Sequence, residues 1–218
     1  MARDLMAAQV HRRPTAFRRF VADGRSRAEA VLAPVEVGMR VTGLTGGQFS
    51  LLDIVQALLA ATGPAHVVVS TWTTGIRDAE TARWLLDNGA MTSFQLLTDL
   101  SFKSRQPKYC EALLRRFGVE AVKVTRTHAK FALVYNDGWA LVVRSSMNLN
   151  TNTRFEQFDV DDDRALLAFF LEHVDAMPIG FDDERRARKA VADFRGVTVE
   201  QVDLTDDEVI AQAARGWE

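Results

Sequence analysis

Apolar and polar positions follow two spacings along this chain. Leu51, Leu52, Ile54, Val55, Leu58 and Leu59 recur at helical intervals up to a stop at Thr62-Gly63-Pro64, with Ser50 or Gln48 placed to open the helix. Residues 66–72 form a short β-branched run bounded by Gly63-Pro64 and Gly75, the pattern of a buried strand. The same reading predicts a helix over 78–86 ending near Asn88-Gly89, a strand over 94–100, a helix over 107–117 stopped by Gly118, and a strand over 119–127. Strands over 131–135 and 139–143 flank Asn136-Asp137-Gly138, a hairpin signal because Asn and Gly accept positive φ at low cost. Upstream, a helical turn over 28–36 leads into a strand over 35–44 and a turn at Thr45-Gly46-Gly47. Downstream, helices are predicted over 163–176, 182–194 and 206–214. Strands alternating with helices, then a hairpin, define an α/β fold with a mixed sheet flanked by helices on both faces. The expected organisation is a basic N-terminal arm or short helix over 1–27, a core over 28–160, and a helical part over 161–218 packed on or extending that core.

Composition narrows the class of protein. Hydrophobic residues are 47% and charged residues 26% of the 218, which suits one globular α/β domain with or without a small appendage. The net charge of −2 hides a split, since residues 101–130 hold eight basic side chains against two acidic ones, while Asp161-Asp162-Asp163, Asp182-Asp183-Glu184 and Asp206-Asp207-Glu208 crowd the later part. A basic stretch of that kind points to an anionic partner; solvated helix faces are the competing explanation. Cys110 is the sole cysteine, so no intrachain disulfide is possible, and its apolar context reads as a small buried hydrophobe. The charged start lacks a signal-peptide pattern, and no run reaches the roughly 20 apolar residues of a membrane span. A cytoplasmic protein without membrane contact is expected.

The chemistry concentrates in two short runs. Thr127-His128-Ala129-Lys130 leads into the first hairpin strand, and Arg144-Ser145-Ser146-Met147-Asn148 follows the second. His128 and Lys130, two apart on a strand, face one side, and the antiparallel return brings Ser146 and Asn148 beside them. This order resembles the motif of the phospholipase D superfamily: His-x-Lys, a strand, a turn, a second strand, then Ser-x-Asn. The resemblance implies a phospholipase D-like fold in which His128 attacks phosphorus to give a covalent phosphohistidine. Lys130 and Asn148 would then hold nonbridging phosphate oxygens, with Ser146 supporting the cradle, and neither metal nor other cofactor is implied. Within Thr151–Phe158, Glu156 is the candidate to orient the imidazole. Two positions depart from the family pattern. Tyr135 stands where an Asp is usual, with Asp137 in the turn as the nearest acid, and Ser145 replaces a glycine.

Further similarity to phospholipase D-like proteins of phages and prophages lies in Gly43–Ser50, Ser70–Thr73 and the stretches Arg105–Pro107 and Thr125–His128, so that the resemblance covers about residues 40–160. Family chemistry uses two histidines, and this chain offers one motif. The implied assembly is therefore a homodimer sharing one cleft across a twofold axis.

The leading expectation is a metal-independent phosphodiesterase, a nuclease, with Arg105, Lys108 and Arg126 contacting the substrate and nucleic acid as partner. The alternative is an inactive phospholipase D-like module that binds nucleic acid or a partner, in a phage setting. His66 and His173 read as a strand-end and a surface histidine. Trp72 and Trp139 could line a site, though strand aromatics are usually core, and no His and acid spacing suits a metal.

Overall fold

The computed structural model describes residues 17–21 (backbone only), 27–150, 153–182, 185, 187 and 188, all within one compact unit spanning 15–191. The predicted helix over 206–214 and most of that over 182–194 lie outside the described residues. The architecture is an open mixed α/β sheet of eight strands: β1 (Phe17–Val21), β2 (Arg40–Thr45), β3 (Ala65–Thr71), β4 (Met91–Asp99), β5 (Val122–Thr125), β6 (Lys130–Tyr135), β7 (Ala140–Ser145) and β8 (Glu156–Asp162). Their spatial order is β1-β2-β8-β7-β6-β3-β4-β5. Strands β3, β4 and β5 run parallel, as do β1 and β2, while β2, β8, β7, β6 and β3 pair antiparallel in succession.

Helices cover both faces, because the central strands are apolar on both sides. Val67, Val69, Ala132, Val134, Leu141 and Val143 join a large core with α1 (Ala28–Leu32), α2 (Leu51–Thr62), α3 (Ile76–Asp87), the short α4 (Phe102–Arg105) and α5 (Pro107–Phe117). The alternate residues Val68, Phe131, Leu133, Ala140 and Val142 pack against Leu167 and Val174 of α6 (Arg164–Asp175). Ser50 opens α2 with a reciprocal capping box to Asp53, and Asp163 caps α6 through Ala165 and Leu166.

Several elements differ from the sequence expectation for identifiable reasons. The strand expected over 35–44 starts only at Arg40, because Gly38 takes φ +74° and gives its N–H to Asp162 at 2.7 Å. Residues 119–121 form a 3₁₀ turn before β5 rather than strand. Within the expected N-terminal arm, 17–21 is a strand paired in parallel with β2, a non-local partnership that local patterning does not reveal. Strand β8 was not predicted. Two of its acids occupy the face opposite Phe158 and Val160, where Asp159 accepts from Thr42 and buried Asp161 pairs with Arg40 (3.4 Å) and Arg144 (2.6 Å). The hairpin forms as expected but by another device. No non-glycine residue among those described has positive φ, nor does Gly138; instead Asn136 Oδ1 accepts from the N–H groups of Gly138 and Trp139, both at 3.0 Å.

Gly43 is required by close approach. A Cβ built there falls 2.1 Å from Cζ of fully buried Phe158, whose ring also meets Phe49 edge-on at 5.7 Å. Gly43→Ala is expected to lower stability by about 1–3 kcal/mol or more through overpacking. A denaturation midpoint shift equivalent to under about 0.5 kcal/mol would contradict this packing.

Candidate active site

The sheet order brings one end of each central strand together. Because β6 is antiparallel to both β3 and β7, its start lies beside the end of β3 and the end of β7, and the first residue of β8 falls at the same edge. Parallel strands β3 and β4 also end there, the position at which open α/β sheets place their ligands.

Side-chain oxygens at these strand ends hold the loops that carry the candidate residues. Ser70 Oγ donates to Ala129 O at 2.9 Å, and Asp99 Oδ2 accepts from Thr127 N–H at 3.0 Å, so β3 and β4 both fix the approach to β6. Thr71 Oγ1 accepts from Leu149 N–H at 3.1 Å, and Leu149 O accepts from Gly75 N–H at 2.7 Å, which ties the segment after β7 to the end of β3. Met147 and Leu149 are buried on either side of Asn148 and anchor it in register.

His128 is exposed and lies in the loop just before β6 rather than on the strand, as the spacing rule had assumed. The half-buried Lys130 reverses onto it instead. Its Nζ sits 3.0 Å from Nδ1 and 3.3 Å from Nε2 of the imidazole and donates to His128 O at 3.0 Å. An ammonium donates only to an unprotonated ring nitrogen, which is the form a nucleophilic histidine needs. Burial pushes the Lys130 ammonium below the ordinary lysine value, and the Glu156 carboxylate partly restores it.

Asn148 is oriented by its carbonyl. Oδ1 accepts from Trp72 N–H at 3.3 Å and Thr71 Oγ1–H at 3.4 Å, which leaves the amide nitrogen as the group that can donate to a ligand. Ser146 donates its hydroxyl to Glu156 and accepts from Gln157 N–H at 2.9 Å. Glu156 therefore differs from expectation. Two strands away from β6, it holds Ser146 and faces Lys130, whereas the ring nitrogens of His128 meet Lys130.

Trp72, for which the core reading was preferred in the sequence, lies at the candidate site instead. Its half-buried ring lies 5.4 Å from that of His128, and the Arg105 guanidinium covers it at 3.6 Å while donating to Trp72 O at 2.8 Å and to Ser101 Oγ at 2.8 Å. The available signal was the abrupt polar end, Ser70-Thr71-Trp72-Thr73, of an otherwise apolar strand.

The basic stretch divides by partner. Lys123 is buried against Val174 O (2.9 Å) and Asp175 (3.2 Å), Arg116 pairs with Glu80 at 3.0 Å, and Arg115 lies 3.9 Å from Glu111. Arg105 reaches the site, and Arg126 lies two residues before His128. Lys108 is exposed in the first turn of α5 and makes no described contact with the His128 cluster.

The departures from the family pattern lie elsewhere. Tyr135 is at the far end of β6, five residues or about 17 Å from Lys130, with its ring stacked 5.2 Å from His66. Asp137 is exposed in the distal turn, where its carbonyl accepts from Arg164 at 2.6 Å, so it does not reach the cradle. Among the described residues no cluster of three or more His, Cys, Asp or Glu is placed to hold a metal, and no helix is long and apolar enough to cross a membrane.

No family model and no curated protein matches the chain. Among solved structures, the chain is similar to TrmBL2, an archaeal chromatin protein whose structure is described as showing a novel mode of DNA binding. The TM-score is 0.39 and the identity 11%, over 66% of this chain and 52% of the other, so the chain spans about half the length of that protein.

The Lys130 environment gives a direct test. Glu156→Gln removes the carboxylate that favours the charged ammonium, so the Lys130 pKa should fall further below the ordinary value, as read by NMR titration of its side chain. A rise or no change would remove Glu156 from the electrostatics of the site.

Proposed function

We propose that the chain is a phospholipase D-type phosphodiesterase, metal-independent and acting on nucleic acid as a nuclease. The observation that carries this reading is the convergence of an exposed imidazole, an ammonium group and a carbonyl-anchored carboxamide at one end of the sheet, with Ser146 and Glu156 behind them. In this mechanism His128 attacks phosphorus through a ring nitrogen. Lys130 turns from the imidazole to the nonbridging oxygens, and Asn148 donates its amide N–H to the same group. Both donors are worth most where charge accumulates in the transition state. Water then releases the covalent phosphohistidine. The leaving oxygen needs a proton donor, which a second His128 supplies when two chains face each other across a twofold axis.

Nucleic acid is favoured over lipid by the exposed cations Arg105, Lys108 and Arg126 near this end of the sheet. A phosphate backbone would bind such a set with strong salt dependence. A second reading, a noncatalytic nucleic-acid binding module, draws on the Lys130–His128 contact, since in this arrangement the ammonium occupies the nucleophile. The two readings separate on one variant. For the enzyme, His128→Ala abolishes cleavage of single-stranded DNA or RNA in EDTA, and Lys130→Ala or Asn148→Ala each lowers kcat by roughly 10²–10³-fold. Activity of His128→Ala equal to wild type would remove the histidine from the mechanism, and binding with no cleavage by either protein would favour the module.

The assembly is tested separately. Sedimentation should give twice the chain mass, whereas a monodisperse monomer that still hydrolyses a phosphodiester would overturn the shared cleft.

A further inference from the structure

A cavity of about 340 Å³ opens beside the candidate site, lined by Asp99, Leu100, Ser101, Ser104, Arg126 and Arg188. Its one carboxylate is already engaged. Asp99 Oδ1 accepts from the N–H of Ser101 at 2.8 Å and from its hydroxyl, and Oδ2 accepts from Thr127 N–H at 3.0 Å. With those oxygens turned to loop donors, and the hydroxyl protons of Ser101 and Ser104 given to Asp99 and to Ser101 O, the group left to meet a ligand is the Arg126 guanidinium. Arg126 is exposed and has no ion pair among the described residues. The cavity is joined to the site by contact. Ser101 Oγ accepts from Arg105 Nε, Arg105 covers Trp72, and the Trp72 ring lies against His128.

We propose that this cavity is a subsite for a second phosphate of the substrate strand, bound by Arg126. This rests on the nucleic-acid reading above and deepens it. The substrate is a strand with more than one phosphate, not a lone diester or a phospholipid headgroup. Arg126 supplies a planar fork suited to two phosphate oxygens at once, and the path through Ser101, Arg105 and Trp72 keeps the second phosphate adjacent to the first.

The test is binding, measured in EDTA on full-length His128→Ala protein with a fluorescent eight-nucleotide single-stranded DNA. Adding Arg126→Ala should weaken the Kd roughly tenfold and reduce the slope of log Kd against log salt by about one contact's worth. Arg126→Lys, which keeps the charge but not the fork and guards against a folding defect, should give a Kd between those of the His128→Ala parent and the added Arg126→Ala protein. Arg115→Ala, a charge removal elsewhere on the surface, should change the Kd less than about twofold. An unchanged Kd for Arg126→Ala, or an equal loss for Arg115→Ala, overturns the subsite. Since no turnover is involved, a wild-type protein that binds in this pattern and never cleaves defeats the phosphodiesterase reading alone.

Discussion

The antiparallel pairing of β6 with β3 on one side and β7 on the other places three chain segments at a single edge of the sheet. Through it the loop before β6 meets the segment after β7, and both meet the carboxyl end of β3. The pairing is secured by near-complete burial of Ala132, Leu133 and Val134 against Leu141, Val142 and Val143, so a one-residue slip would turn each of these side chains to the wrong face. Nothing at the edge is free to choose its own position. Ser70, Thr71 and Asp99 spend their side-chain oxygens on the backbone of the two loops, and what remains outward is His128, Lys130 and the amide nitrogen of Asn148.

Within that frame the polar groups form two linked sets. Glu156, Ser146 and Gln157 brace the end of β7, while Glu156 also acts on the charge of Lys130. Trp72 links the other set, since its N–H holds Asn148, its ring lies against His128 and its face is covered by Arg105. Phosphate chemistry is proposed for this arrangement because it supplies a nucleophile and donors for developing negative charge. Tyr135 lies at the far end of β6, where its ring stacks on His66 and burial pushes the hydroxyl up.

Most elements and the central constellation were legible in the sequence, because each was written in local terms. Helix α5 matches its predicted bounds, with proline at its start and glycine after its end, and Ser50 and Asp163 stand as caps. What escaped was written in partners distant along the chain. Strand β8 carries acids that disfavour a strand until Arg40, Arg144 and Thr42 are brought beside them, and β1 is defined by the edge of β2. Spacing placed His128 on a strand, and the family resemblance placed Glu156 beside it. The structure puts the histidine in a loop, met by Lys130, and turns the glutamate to Ser146. Trp72 looked like core because strand aromatics usually are; its site role follows from where β3 ends.

The proposed phosphoryl transfer turns on a covalent step at the His128 imidazole. The most direct measurement is alkaline quench of the protein during turnover on a labelled oligonucleotide, followed by peptide mass spectrometry. A phosphoryl-linked nucleotide adduct on the ring of His128 is expected. Cleavage with the adduct on another residue, or with none trapped on the turnover timescale, would contradict it.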